Sequence, residues 1–524
     1  MRISSSQMQL QGLNSLLKQQ ARLVDSQMKL STGKKMNTPA DDPVGSAAVL
    51  NITQQLKIIA QYQENAETAK ERQQLEETVL ISVENVIRRA KVLAIQGANS
   101  PVGSGGRSDI ALEIRQRLSE LADLANTTDA NGEYIFAGFQ GHTKPFTANL
   151  DGTYTYNGDQ GQRLLQISAD RQVADRDPGS DIFQFIKDGN GTFSVIDNAN
   201  NTGNGIIHTG SVSDITAIDG DTYTLIFGED TTATTANVGA FSFADGAPTN
   251  NTLVYTLDIN GTTVYSVDDT GAPPPVLTLQ GLADEINNDA GTTGVRAHVN
   301  GGQLFLANDS PSTGDIVITE GFSGFTATEG DTVLGYFGNT LTDTNTSVVT
   351  TLNNTAASNY IVLDSSNNIE TTGTYVPEGA ITFNGITTSV KEDPNNGDRF
   401  TISPSTNRDI FRTLNDLAKA LEAGGGTTSE TNTFNTINRM LLELDNVENN
   451  ILTIRAGVGG RLNTIDDQKN FNEDFSINLE SNRSRLEDLN YTSAITEFEQ
   501  IMTALQAAQA SFARIQGLSL FNYL

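Results

Sequence analysis

Residues 30–50 read LSTGKKMNTPADDPVGSAAVL. A glycine, two prolines and an Asp-Asp pair interrupt an otherwise helical pattern. Polar breaks of this kind serve either as reactive loops or as joints between structural parts. Gly33 reads as the stop of a helix, with Lys34 and Lys35 beside its negative dipole end. Asp42 can cap the next helix with Pro43 at its first position, where the missing N–H costs nothing. Thr38–Pro39, with Asp41 in a capping-box place, offers another start. The helical pattern runs unbroken only after Pro43, which favours the second proline. On this reading Gly33, Pro39, Asp41, Asp42 and Pro43 form a joint between helices, with no catalytic partner in the stretch.

Before the joint, Ile3, Leu10, Leu17 and Val24 recur every seven residues, as do Leu16, Leu23 and Leu30. At the other end Phe498, Leu505 and Phe512 recur likewise, interleaved with Ile501, Ala508 and Ile515. This spacing puts apolar residues on one stripe of a helix. Each stripe alone fits a helix lying on its own core. Two such stripes at opposite ends fit a chain that brings its ends together as a coiled pair.

Further in, 44–97 is nearly free of breakers, and Leu75, Val79, Val83, Val86, Ala90 and Leu93 share a stripe. A loop at 97–109 ends in the expected cap Ser108, and a second helix runs to about Leu124. Ile437, Leu444 and Ile451 alternate with Met440, Val447 and Ile454 in the same manner, after a linker at 422–432. Gly457, Gly459 and Gly460 each cost a helix roughly 0.5–1 kcal/mol relative to Ala, so local propensity breaks the helix there.

The middle is different in kind. From about 139 to 404 it is rich in Thr, Asn, Gly and Asp. Short alternating runs, TYTLIF (222–227), LVYTLDI (253–259), TVYSV (263–267) and GAITF (379–383), stand between turn residues and predict strands. The prolines at 273–275 bar a strand there. Residues 253–309 read as a hairpin, a short helix over Leu279–Asn287 and two further strands, with NGTT and VNGGQ as turns. ITFNGITTSV (381–390) echoes the first hairpin. The expected fold class is α+β and multidomain: N- and C-terminal helices form coiled-coil and bundle domains around an inserted β-rich region. The expected divisions are 1–38 with 481–524, 39–170 with 405–480, and 171–404.

Composition narrows the function. The 524-residue chain has no cysteine, which removes disulfides and thiol chemistry, and no tryptophan. Its formal charge of −30 argues against nucleic acid and anionic membranes as partners. Residues 1–38 hold six bases and one acid, Asp25, whereas 200–390 hold 21 acids and a single base, Arg296. No apolar run reaches the roughly 20 residues that span a bilayer. The N-terminus lacks the apolar stretch of a cleaved secretory signal, so the chain is expected either in the cytoplasm or exported without one. His142, His208 and His298 each stand alone in Gly/Thr/Asn surroundings and are expected at the surface or in turns. Asp219 and Asp221 lack the graded spacing of a calcium loop and read as turn acids. No catalytic residue, cofactor-binding residue, metal ligand or cofactor is expected, and the chain is expected not to be an enzyme.

LSTGKKMNTPADDP resembles an early motif of the bacterial flagellin superfamily. NTTDANGEYIFAG (126–138) and RAGVGGRLNTID (455–466) resemble two more, in the right order. The start MRIS, the proline after Asp-Asp, GDRFTISPSTNRDIFRTLNDLAKAL (397–421) and the ending LSLFNYL are similar to the hook-associated branch of that superfamily. Residues 253–318 are similar to a β motif inserted in flagellins and hook proteins. The resemblance implies a structural role at the junction between hook and filament, reached by export without a cleaved signal. It implies self-assembly through the terminal helices, with Ile3, Leu10, Leu17, Val24, Phe498, Ile501, Leu505, Phe512 and Ile515 as the assembly stripe. The implied partners are further copies, another hook-associated junction protein, flagellin subunits and a cytoplasmic export chaperone. It also implies a continuous helix through Gly457–Gly460. A filament-forming flagellin is the alternative within the superfamily. An extracellular ligand-binding protein or adhesin is the unrelated one, and no aromatic cluster or basic patch in the sequence marks a binding face for it.

Overall fold

The computed structural model describes residues 5–99, 103–234, 240–242, 254–268, 277–300, 302–309, 314–323, 332–342, 347–352, 357–423 and 430–517. The prolines at 273–275, most of the linker at 422–432 and the ending LSLFNYL lie outside them. The chain divides into two compact units. One comprises residues 1–75, 163–175 and 458–524; the other comprises 76–162 and 176–457.

In the first unit the N-terminal helix, Ser5–Thr32, lies beside the C-terminal helix, Tyr491–Gly517. The long helices Pro43–Gly97 and Glu430–Glu487 contribute their segments up to Leu75 and from Val458. Ala66, Ala69 and Ile465 pack with Ile167 and Val173 of the hairpin Leu164–Ser168/Arg171–Ala174. Small residues on the helices let the hairpin approach closely. Asn65 and Asn472 then donate to the carbonyls of Gln166 (2.8 Å) and Ile167 (3.1 Å), satisfying its edge.

In the second unit, Val79, Val83, Val86, Ala90 and Leu93 are buried, as are Ile437, Met440, Leu444, Val447 and Ile451. Both expected stripes therefore face a core. The helix after the 97–109 loop starts at Ser104 with Gly103 in the cap position, so Ser108 lies inside it and is not the cap. Ala-, Leu- and Ile-rich sequence immediately downstream lets the helix extend backwards through both glycines.

Among its described residues, the β-rich part of this unit has two large apolar cores. In one, the strands Thr262–Asp268, Val254–Ile259, Ile316–Ser323 and Ser347–Leu352 form an antiparallel sheet in that spatial order. The helix Leu279–Asn288, capped by Thr278, buries Leu279, Leu282, Ala283 and Ile286 in the same core. Glu320 is fully buried there. Its carboxylate accepts from the Tyr255 hydroxyl (2.6 Å), the Phe337 amide (3.2 Å) and the Asn339 side chain (2.7 Å), which explains how it is tolerated.

The other core backs a seven-stranded sheet organised by one long strand, Tyr223–Thr234. Gln303–Asn308, Asn359–Leu363 and Arg399–Pro404 all pair with it directly. The hairpin Val254–Ile259/Thr262–Asp268 turns through Asn260 (φ 50°) and Gly261 (φ 79°). The echoing hairpin turns through Asn384 (φ 38°) and Gly385 (φ 77°). Two successive left-handed residues make the tight turn whose twist matches paired strands, so the echo reflects shared turn chemistry.

The glycine triplet does not break its helix, which is continuous from Glu430 to Glu487. A Cβ placed on Gly457, Gly459 or Gly460 would meet nothing within 4 Å. Intrahelical bonding on both sides carries the helix across the weak stretch, against local propensity.

Candidate assembly surface

The joint has the form expected of it. The N-terminal helix ends at Thr32, and Gly33 follows in the left-handed region (φ 68°). A Cβ on Gly33 would also lie 2.8 Å from the Tyr491 hydroxyl, so glycine is required twice over. Asp42 Oδ1 accepts from the Gly45 amide at 3.0 Å, capping a helix whose first residue is Pro43. Asp41 accepts from the amides of Thr38 (2.8 Å) and Asn37 (2.9 Å). These amides hold its carboxyl below the usual carboxylate range. Pro39 sits in the turn between the two acids' partners.

A second break faces this one. The helix Glu430–Glu487 stops, residues 488–490 connect, and the C-terminal helix starts at Tyr491. The two breaks form a short antiparallel bridge: the Lys35 amide donates to the Glu487 carbonyl (2.7 Å), and the Leu489 amide to that of Gly33 (2.9 Å). Lys34 and Glu487 add an ion pair. The pairing of these two breaks was not legible from either sequence stretch alone; Asn490, a cap residue ahead of an apolar run, was the available signal.

From this bridge the terminal helices run antiparallel. Tyr491 lies by Gly33, while the Phe512 ring lies so close to Gly12 that an added Cβ would sit 3.0 Å away. Phe498, Ile501, Leu505 and Phe512 are half-buried on this side, and so are Leu16, Leu23 and Leu30. Leu10, Leu17 and Val24 are 61%, 53% and 54% exposed. The two heptad sets of the N-terminal helix thus part company: one lines the seam and the other is left in water. Ile3 lies outside the described residues, and Ile515 is placed in the helix without a described side chain.

Other apolar groups of the same unit are exposed with them. Leu13, Met28, Val44, Leu50, Phe471, Phe475, Ile477 and Ile495 all face solvent. Phe471 and Phe475 stack on one another, 6.2 Å between ring centroids. Beside the joint, Met36, Pro39, Pro43, Val49 and Leu50 line an open cavity of about 530 Å³. Large apolar groups exposed in this number are a common mark of interaction surfaces.

Among the described residues no cluster of three or more His, Asp or Glu could hold a metal ion, and no helix is long and apolar enough to cross a membrane. Asp219 accepts from the Asp221 amide (3.0 Å) and the Tyr223 hydroxyl (2.6 Å), the bonding of a turn residue. His298 departs from expectation: it sits mid-strand, half-buried, and lines a cleft.

Residues 3–141 match the family model for the bacterial flagellin N-terminal helical region, and residues 441–524 the model for the C-terminal helical region. Over 186 residues the chain is 30% identical to flagellar hook-associated protein 3 of Salmonella typhimurium and 31% identical to that of Escherichia coli. Each match covers 36% of this chain and 58% of the relative. A flagellin of Salmonella rubislaw is 31% identical over 135 residues, 26% of this chain and 27% of the flagellin. The fold is similar to that of Xanthomonas campestris FlgL (TM-score 0.55, 22% identity, 83% of this chain and 99% of that one). It is equally similar to flagellar hook-associated protein-3 of Legionella pneumophila (TM-score 0.56, 23% identity, 84% and 98%).

Proposed function

We propose that this chain, which carries at its two ends the helical regions of the flagellin superfamily, is a structural subunit of the bacterial flagellum at the junction between hook and filament. The observation that supports this best is the half-finished seam of its terminal helices. They bury one heptad set against each other and leave Leu10, Leu17 and Val24 in water, together with the Phe471–Phe475 stack. At about 25 cal/mol per Å² of apolar area removed from water, covering such a surface by neighbouring copies contributes a large driving force for assembly. The similarity to hook-associated proteins over 186 residues supports the junction as its place in the organelle.

In this role the chain works without chemistry of its own. Copies assemble side by side through their terminal helix pairs, meeting a second hook-associated junction protein on one side and flagellin subunits on the other. It is delivered outside the cell without a cleaved signal, held until export by a cytoplasmic chaperone on its exposed helices. A filament-forming flagellin is the second reading, favoured by the 31% identity to a flagellin over 135 residues.

Immunogold labelling of flagella separates these readings. A single spot where hook meets filament is the expected result. Label along the whole filament supports the second reading, and diffuse label on the cell surface sinks both.

A further inference from the structure

The acidic β-rich segment carries one base between residues 200 and 390, and that base is not placed at random. Arg296 lies on the strand Val295–Asn300, in a cleft of about 750 Å³ on the seven-stranded sheet. Arg399, 103 residues later, lies opposite Ile226 on the neighbouring part of the same sheet and lines the same cleft. Both guanidinium groups share one carboxylate. Arg296 is ion-paired with Asp309, and Arg399 Nη2 stands 3.8 Å from the same oxygen. Arg399 is fixed further by donating to the Asn308 carbonyl at 2.8 Å. Among the side chains that line the cleft, two guanidinium groups face one carboxylate.

Beneath a mostly polar lining the floor holds buried apolar side chains. Arg296 and His298 alternate with Ala297, which faces the core behind the sheet, so both point to the opposite face. On that face Ile226, Phe305, Ala307, Ile361 and Leu363 make a small buried cluster, and Ile226 and Leu363 reach the cleft. Side-chain amides of Gln280, Asn367 and Asn368 stand around the rim, Gln280 donating to Asp284 (2.9 Å) and Asn368 to Asp364 (2.7 Å) and each keeping its carbonyl oxygen as an acceptor. Buried apolar side chains beneath a polar lining, amides at the rim and a pair of guanidinium groups, in a volume typical of small-ligand sites, describe a pocket with a chemical preference. A dianionic phosphate brings two charges to a lining with one guanidinium in excess of its carboxylate. A single carboxylate matches that excess and suits the planar fork of a guanidinium.

We propose that this cleft binds a small acidic sugar of the uronic or sialic acid type, free or at the end of a glycan. Its carboxylate lies on Arg296 and Arg399, its ring over Ile226 and Leu363, and its hydroxyls on the amides of Gln280 and Asn367. This site is independent of the assembly surface, and its failure leaves the junction role untouched.

Calorimetric titration of the full chain tests it, using glucuronate, N-acetylneuraminate, a sialylated trisaccharide, glucose, inorganic phosphate and a tetra-aspartate peptide. At least one of the acidic sugars is expected to bind about tenfold or more tighter than glucose, phosphate or the peptide. The free acid against the trisaccharide tells the two sources apart. Arg296→Gln, a change at a half-exposed side chain, should weaken that binding about tenfold or more, the loss of one charged hydrogen-bonding partner, with the melting temperature kept. Gln280→Glu, on the exposed face of its helix, should weaken it through added negative charge. Equal binding of glucose, preference for phosphate or the peptide, no binding of any acidic sugar, or indifference to both substitutions overturns the proposal.

Discussion

His298 shows how a residue's setting decides its behaviour. Burial first, then the Arg296 and Arg399 guanidinium groups, push its pKa down from 6.5 to about 4. The folded chain therefore holds it neutral where the unfolded chain takes up a proton. Its contribution to stability is complete above pH 6.5 and is lost as pH falls from there to about 4. Asp197, Asp398, Asp409 and Glu443 act in the opposite sense, because burial raises their pKa values and acidification relieves them. The histidine term has to be isolated by difference. Urea unfolding of the parent and of His298→Asn between pH 7 and 4 should show the gap narrowing on acidification by roughly 2–3 kcal/mol. A gap that is constant across the range removes the effect. None of this was legible in the sequence, where His298 stood among turn residues. The partners that surround it are supplied by strands with no local mark of their pairing.

At the scale of the element, the N-terminal helix carries two apolar stripes with two expected uses. Leu16, Leu23 and Leu30 belong to the seam, so changing them to Ser should lower the melting of the isolated chain. Changing Leu10, Leu17 and Val24 to Ser should leave that melting within about a degree yet abolish addition to hooks, scored by electron microscopy. The reverse pattern would mean that the outward stripe packs inside the subunit. The helix Glu430–Glu487 offers a second test. With open space at each Cβ position, Gly457→Ala, Gly459→Ala and Gly460→Ala should each stabilise by roughly 0.5–1 kcal/mol, seen as a rise in melting temperature. No rise would mean that the chain needs glycine there for a reason absent from the folded subunit. Helix ends were largely legible because caps and breakers act over three or four residues. The cap at 104–108 was misread because two glycines outweighed the helix-forming sequence behind them.

Across the whole molecule, the division into helical ends and a β-rich middle was open to reading, since composition changes at the borders. The strand partners were not. Tyr223–Thr234 pairs with strands about 75, 135 and 175 residues away, and such pairing leaves no periodic trace along the chain. Arg296 and Arg399 became a site for the same reason. Protease sensitivity is expected to follow the same map. Lys18, Arg22, Lys29, Lys34 and Lys35 lie in or beside a helix that is half in water, as do Arg483 and Arg485. Arg296 lies in a paired strand with its guanidinium engaged. Limited trypsin treatment should first trim the chain to roughly 36–483, read by mass spectrometry. Early cutting after Arg296 with residues 1–35 retained would reverse this order of local stability.

The bridge between Gly33–Lys35 and Glu487–Leu489 has a consequence in time. Synthesis delivers the N-terminal helix before its seam partner, with more than 450 residues of chain made in between. Throughout that interval residues 5–32 have no neighbour to lie against, and a solitary helix of that length is marginal in water. Closing so long a loop adds only about 0.6 kcal/mol for each doubling of its length, so the delay is set by the ribosome and not by entropy. A nascent or prematurely ended chain therefore presents a bare leading segment, and one that includes the seam partner can hide part of it.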